Sequence, residues 1–160
     1  MKHVFVLLLA LGIGVIAGLR AMMAPAVVSW AAYLGWLDLD GTWVSWLANP
    51  VVLGVLTVLA LVELVTDQLP KTPSRKTTVQ FGTRLVTGGF AGAALGTAFG
   101  YTMGGLGAGV VGAVLGTMGG YEARKRLVAA TGGRDLPVAL LEDAVAIGGG
   151  FLVCYLASLL

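Results

Sequence analysis

The chain has 160 residues, of which 58% are hydrophobic and only 11% charged, with a formal net charge of +2 and a mean hydropathy of +0.92. Soluble domains average about 25% charged residues, so this composition excludes an ordinary water-soluble fold, and the length fits a single domain over residues 1–160. Metal-ligand spacings, a Gly-x-Ser-x-Gly elbow and a phosphate-binding loop are all absent, which argues against the commoner hydrolases and nucleotide enzymes and predicts neither cofactor nor metal.

Apolar blocks lie at residues 4–19, 22–36, 50–66, 79–100, 104–121 and 137–160. A membrane span needs about 20 residues, with a lower limit of ~17, so the last four blocks are spans or nearly so. Block 4–19 follows Lys2 as the core of a secretory signal would. No polar segment follows it, however, and apolar sequence resumes at Ala21, so it reads as a retained span. His3 lies in a frayed terminus and reads as neither ligand nor base. Blocks 4–19 and 22–36 together are too long for one straight helix and short for two, interrupted by Arg20 and by Pro25, which lacks a backbone donor and kinks or starts a helix.

Two topologies follow. Six spans put the amino terminus outside; five spans put it inside and lay 22–36 as an interfacial or re-entrant segment. Both place Lys71, Arg75, Lys76, Arg124, Lys125, Arg126 and Arg134 on the cytoplasmic side, as the positive-inside rule requires. Both leave Asp38 and Asp40 outside, beside the four tryptophans Trp30, Trp36, Trp43 and Trp46, where an aromatic belt belongs. The six-span arrangement is preferred because it brings Arg20 level with Glu63, Asp67, Arg84, Glu122, Glu142 and Asp143. A charge within a span costs about 2.5–3.5 kcal/mol unless it finds a partner or water. A weak parallel repeat, 18–78 and 82–136, supports it: Gly18-Leu19-Arg20 and Gly82-Thr83-Arg84 each open a helical pair that ends at a glutamate and a basic loop.

Glycine recurs every fourth residue at Gly88, Gly92, Gly96 and Gly100, and again at Gly112, Gly116 and Gly120. That spacing lays one bare stripe along each of two apolar helices, and bare stripes let helix backbones approach closely where lipid supplies no hydrophobic drive. With a short turn at Tyr101–Met103 between them, the stripes are expected to pack on each other. Gly148–Gly150 offers a second close contact or a flexible point. Cys154, the single cysteine, reads as a small buried thiol.

Glu63 and Asp67, four apart, share a helical face. Glu142 and Asp143 are about 100° apart on a helix, so at most one fully shares a given partner's direction. They fall one turn into the last span, after Pro137, near the favourable positive end of its dipole. Arg20 and Arg84 are the cations able to reach these acids, with a fork suited to a carboxylate or a phosphate. The set Arg20, Arg84, Glu63, Asp67, Glu142 and Asp143 is therefore either an ion-pair network knitting the helix ends together or a substrate-binding and proton-coupling vestibule. The basic loops read as topology determinants that also attract anionic lipid; neither interleaves aromatics, so nucleic acid is not expected.

The segments from Gly18-Leu19-Arg20 through Pro25 and Trp30 to Ala32 and from Glu63 through Asp67, Pro70 and Pro73 to Arg75, with Glu142 and Asp143 running to Gly150, resemble a family of small bacterial membrane proteins classed as a domain of unknown function. The resemblance covers most of the chain and implies only a polytopic membrane fold, with no catalytic residue to carry over; the expected location is the bacterial inner membrane. The expected fold is an all-α bundle of six transmembrane helices, or five plus a re-entrant segment, with glycine-striped packing. The expected function is a small transporter or channel, with an anionic solute or lipid head group as ligand and a second copy of the chain as a candidate partner. The alternatives are a non-catalytic structural or lipid-binding membrane protein and, less favoured, an intramembrane enzyme on a lipid head group.

Overall fold

The computed structural model describes residues 1–66 and 78–160, and all regular structure within them is helical. The elements are α1 (Lys2–Leu19), α2 (Met23–Tyr33), α3 (Pro50–Thr66), α4 (Thr78–Thr97), α5 (Thr102–Ala130) and α6 (Asp135–Ser158), with a short 3-10 turn, Ser45–Ala48, ahead of α3. Three of them, α1, α5 and α6, are long and apolar enough to cross a membrane. Asp67 and the basic loop with Lys71, Arg75 and Lys76 lie outside the described residues.

The apolar block 22–36 is not one continuous helix. At 1.5 Å per residue, the 11 residues of α2 cover about 16 Å, roughly half of a ~30 Å hydrocarbon layer. Pro25 falls in the first turn of α2, where a missing N–H costs nothing. The helix stops because Gly35 turns left-handed at φ +80. Its N–H then reaches Ala32 O at 3.2 Å and that of Trp36 reaches Ala31 O at 2.8 Å, satisfying two of the last carbonyls. Gly100 does the same for α4, so it belongs to the turn and not to the helical stripe; the α4–α5 turn, residues 98–101, comes two to three residues earlier than the expected Tyr101–Met103.

Close contacts fix the helix directions. Gly104 of α5 lies beside Leu7, and Gly116 beside Val15, so α1 and α5 run parallel. Gly88 meets Ala113 while Gly96 meets Tyr101, so α4 runs antiparallel to α5. Gly149 meets Ile16 and Gly12 meets Val153, so α6 runs antiparallel to α1. Tryptophans gather where α2 and the 34–49 loop meet this frame. Trp30 Nε1 donates to Thr57 Oγ1 at 3.0 Å and Trp43 Nε1 to Thr97 Oγ1 at 3.1 Å, and Trp36 stands edge-on to Phe151 and Tyr155.

The glycines sort by partner. Gly105 and Gly109 face Gly88, Gly92 and Gly96 across the α4–α5 seam. Gly112 and Gly116, expected against α4, instead lie on α1 at Leu11 and Val15, while Gly149 and Gly150 sit under Ile16 and Val27. Helix α5 therefore presents bare backbone to two neighbours. Elsewhere the surface is apolar: Val51, Val58, Val65, Val79 and Val86 are exposed, whereas Arg20 and Arg84 are buried. That distribution inverts a water-soluble protein's and matches a hydrocarbon solvent. Helix α3 buries only Leu53 and Ala60, and a side chain at Gly54 meets nothing. Gly54→Ala should leave the melting point in detergent unchanged or raise it, by no more than about 1 kcal/mol of helix propensity; a marked loss would show that α3 packs more tightly there.

Candidate functional site: a charged recess at a helix break

Between α1 and α2 the chain turns back on itself, with Arg20 extended at φ −143, ψ 108. A broken helix exposes carbonyls at one end and N–H groups at the next, with opposite partial charges. The protein meets each end with the complementary charge. Arg84 Nη1 donates to Gly18 O at 2.6 Å and Arg20 Nη1 to Leu19 O at 3.5 Å, so guanidinium groups cap the end of α1. The Met22 N–H, at the start of α2, donates to Glu63 Oε1 at 3.1 Å, so a carboxylate caps the other end.

The remaining acids come from α6. Arg20 lies against Asp143 Oδ1 through Nε at 2.7 Å and Nη2 at 2.6 Å. Its Nη2 also stands 3.9 Å from Glu142 Oε2. That oxygen accepts from Arg124 Nη1 at 3.3 Å, and Arg124 forks onto both oxygens of Asp135 at 3.0 and 2.8 Å. Arg20 is fully buried, Arg84 2% exposed and Asp143 8%, and burial of charge on this scale requires the pairing observed. Thr117 Oγ1, also buried, has no hydrogen-bond partner among the described residues; its backbone packs on Gly18.

The cluster is recessed. Asp143 is eight residues into α6 and Arg84 six into α4, about 12 and 9 Å from those helix ends. Thr117 lies thirteen residues from the end of α5, about 20 Å. The α1–α2 turn is thus buried against interior turns of α4, α5 and α6, away from their ends.

The structure brings together five of the six residues singled out from sequence: Arg20, Arg84, Glu63, Glu142 and Asp143. The sixth, Asp67, lies outside the described residues. One reason offered for Glu142 and Asp143 does not hold. Helix α6 starts at Asp135, before Pro137, so the two acids are two turns in, beyond the first-turn reach of the dipole. Their partners are Arg20 and Arg124. Glu122 pairs with Arg126 at 3.8 Å, with both side chains exposed, and takes no part in the recess. Sequence reasoning missed Arg124, because nothing in the run Arg124-Lys125-Arg126 distinguishes the one residue that turns inward. It also missed Asp135 and the backbone groups at Gly18 and Met22. Among the described residues no three His, Cys, Asp or Glu side chains gather as metal ligands, and Cys154 is buried and unpaired.

Helical structure among the described residues, helices fit to cross a membrane and an apolar surface around an apolar core with a few buried charges define a membrane protein. More particularly, the chain belongs to the family described as Domain of unknown function (DUF4126), whose model matches residues 7–159. No curated protein and no solved structure matches it.

Proposed function

We propose that the chain is a small multi-pass transporter or channel of the bacterial inner membrane. It crosses six times, with α2 and the 34–49 loop completing the second crossing, and the recess opens to the cytoplasm. Arg20 and Arg84 hold an anionic solute or lipid head group there, while Glu63, Asp67, Glu142 and Asp143 couple protons or balance charge. One observation carries this reading: a fully buried arginine at a helix break, paired with Asp143 about 12 Å inside α6. Ionisable groups at such depth are costly and mark ion or substrate pathways by default. Broken helices whose ends meet at a charged site are a recurrent transporter device.

Glu63→Gln separates transport from architecture, because the amide oxygen still accepts from Met22 N–H while the charge is gone. In proteoliposomes loaded with a pH indicator and driven by chloride, phosphate or acetate gradients, wild type should carry flux. The variant should lose about a hundredfold or more, the low end of what a positioned proton-transfer group contributes, at an unchanged melting temperature. Equal flux in the two would remove Glu63 from the pathway.

A second reading, a structural or lipid-binding protein that moves nothing, is supported by the capping of both helix ends by the protein's own charges. It requires a dry recess. Glu63→Cys in a Cys154→Ala background should then resist aqueous thiol reagents, whereas rapid labelling supports the transport reading.

A further inference from the structure

Helix α6 is held to the bundle by two different kinds of contact along its length. From Ala146 onward the contacts are apolar and close. Gly149 and Gly150 lie under Ile16 and Val27, Val153 lies against Gly12, and Trp36 stands edge-on to Phe151 and Tyr155. Among the described residues the main apolar core takes only Ala146, Cys154 and Ala157 from α6, with Phe151 and Val153 packed on it. Residues 135–145 contribute nothing to that core. They border a cleft of about 150 Å³, with Leu19, Ala123 and Leu127 on one side and Val138, Leu141 and Val145 on the other. Charge bridges this stretch to the bundle: Arg20 meets Asp143, and Arg124 meets Glu142 and Asp135.

Where the packing changes kind stand three consecutive glycines. Gly149 and Gly150 have a packing reason, since a Cβ at either would press on Ile16 or Val27 at 3.1 or 3.0 Å. Gly148 has none, because a Cβ there meets nothing. Its remaining physical effect is to weaken the helix at that point, glycine being the poorest helix former after proline. We infer that residues 135–147 form an arm that bends outward at Gly148 and is clasped shut by Arg124. The near end is tied to α5 by the 131–134 loop, whose Gly132 and Gly133 let its backbone follow. Bending withdraws Asp143 and Glu142 from Arg20. A buried guanidinium left unpaired is costly, so an anion entering the recess takes the place of the acids. That exchange makes the arm the gate of the recess and rests on the transport reading; the bend itself does not.

The test is pulsed electron resonance on the full chain, Cys154→Ala, in lipid nanodiscs. One nitroxide pair, Met118→Cys with Leu140→Cys, spans α5 and the arm; the control pair, Leu8→Cys with Leu152→Cys, spans α1 and the packed half of α6. All four side chains are exposed. Leu140 is eight residues, about 12 Å, from Gly148, so a kink of about 20° moves its label by up to ~4 Å. Arg124→Gln should add a component displaced on that scale to the first pair and leave the control unchanged. Gly148→Ala on top of it should cut that component by up to roughly fivefold, the factor by which alanine outdoes glycine in a helix. Circular dichroism and melting temperature confirm folding, and should Arg124→Gln misfold, Asp135→Asn loosens the same clasp from its exposed side. No displaced component, an equal change in both pairs, or indifference to Gly148→Ala overturns the proposal. A moving arm without flux would sink the transport reading alone, whereas flux with a rigid arm would sink only the hinge.

Discussion

Arg20→Ala is expected to destabilise the protein by about 3–5 kcal/mol, the cost of leaving one member of a buried ion pair uncompensated. Asp143 loses both of its contacts to Arg20 and stays enclosed. The Leu19 carbonyl loses its guanidinium donor as well. Arg20→Lys should recover only part of the loss, since one ammonium replaces a planar fork that reaches a carboxylate and a helix end at once. The informative variant is the double replacement Arg20→Met with Asp143→Leu. Apolar substitutes for a buried pair are often neutral or stabilising, so the double variant should melt near wild type. If the recess is a transport site, it should nevertheless carry no flux. Restored stability with intact flux would assign the pair to architecture alone. Thermal melts in detergent for Arg20→Met, Asp143→Leu and the double form a cycle that isolates the coupling; a cost below about 1 kcal/mol for Arg20→Ala would show that the recess is hydrated enough to relieve the pair.

Gly109→Leu should have a comparable or larger effect. Gly109 is approached by Gly88 and Gly92 of α4 on one side and by Gly14 of α1 on the other, and the nearest atoms are backbone. A side chain there cannot be accommodated by changing a neighbour's rotamer. The helices have to part. Overpacking a well-packed site costs about 1–3 kcal/mol and occasionally more, and here the obstructing atoms are α4 backbone that no rotamer change moves, so no folded species is expected on size exclusion. Gly107→Leu is the control: two residues along the same helix, an added Cβ meets nothing, and the melting temperature should hold. A Gly109→Leu protein as stable as Gly107→Leu would mean that the α1–α4–α5 core is not held by close backbone approach.

Much of this arrangement was legible in the residues. The helical blocks follow from runs of apolar sequence, and the break at Arg20 follows from a charge and a proline within one apolar stretch. The charged set converges because an apolar bundle leaves its few ions nowhere else to find partners. What escaped is what neighbours decide. The period that lines up Gly112 and Gly116 gives them a common face but not its partner, and α1 takes that face because α4 already occupies Gly105 and Gly109. Likewise Arg124 turns inward only because Asp135 and Glu142 of α6 stand opposite it, a fact of helix phase that three consecutive basic residues conceal. The short α2 was readable in principle, from Gly35 as a helix stop, but the uninterrupted apolarity around it masked the signal.

The buried Arg20–Asp143 pair also bears on the order in which the chain can be assembled. Arg20 and Asp143 are 123 positions apart, so at about 5–20 residues per second the α1–α2 segment is complete well before the acid that neutralises Arg20 has been synthesised. Until α6 arrives, that arginine must be held by water at the interface, by lipid phosphate or by an insertion factor. The α1–α2 turn therefore cannot sink to its final depth as an early, independent step. On the six-crossing reading its descent waits for α6, and docking of that helix closes the fold.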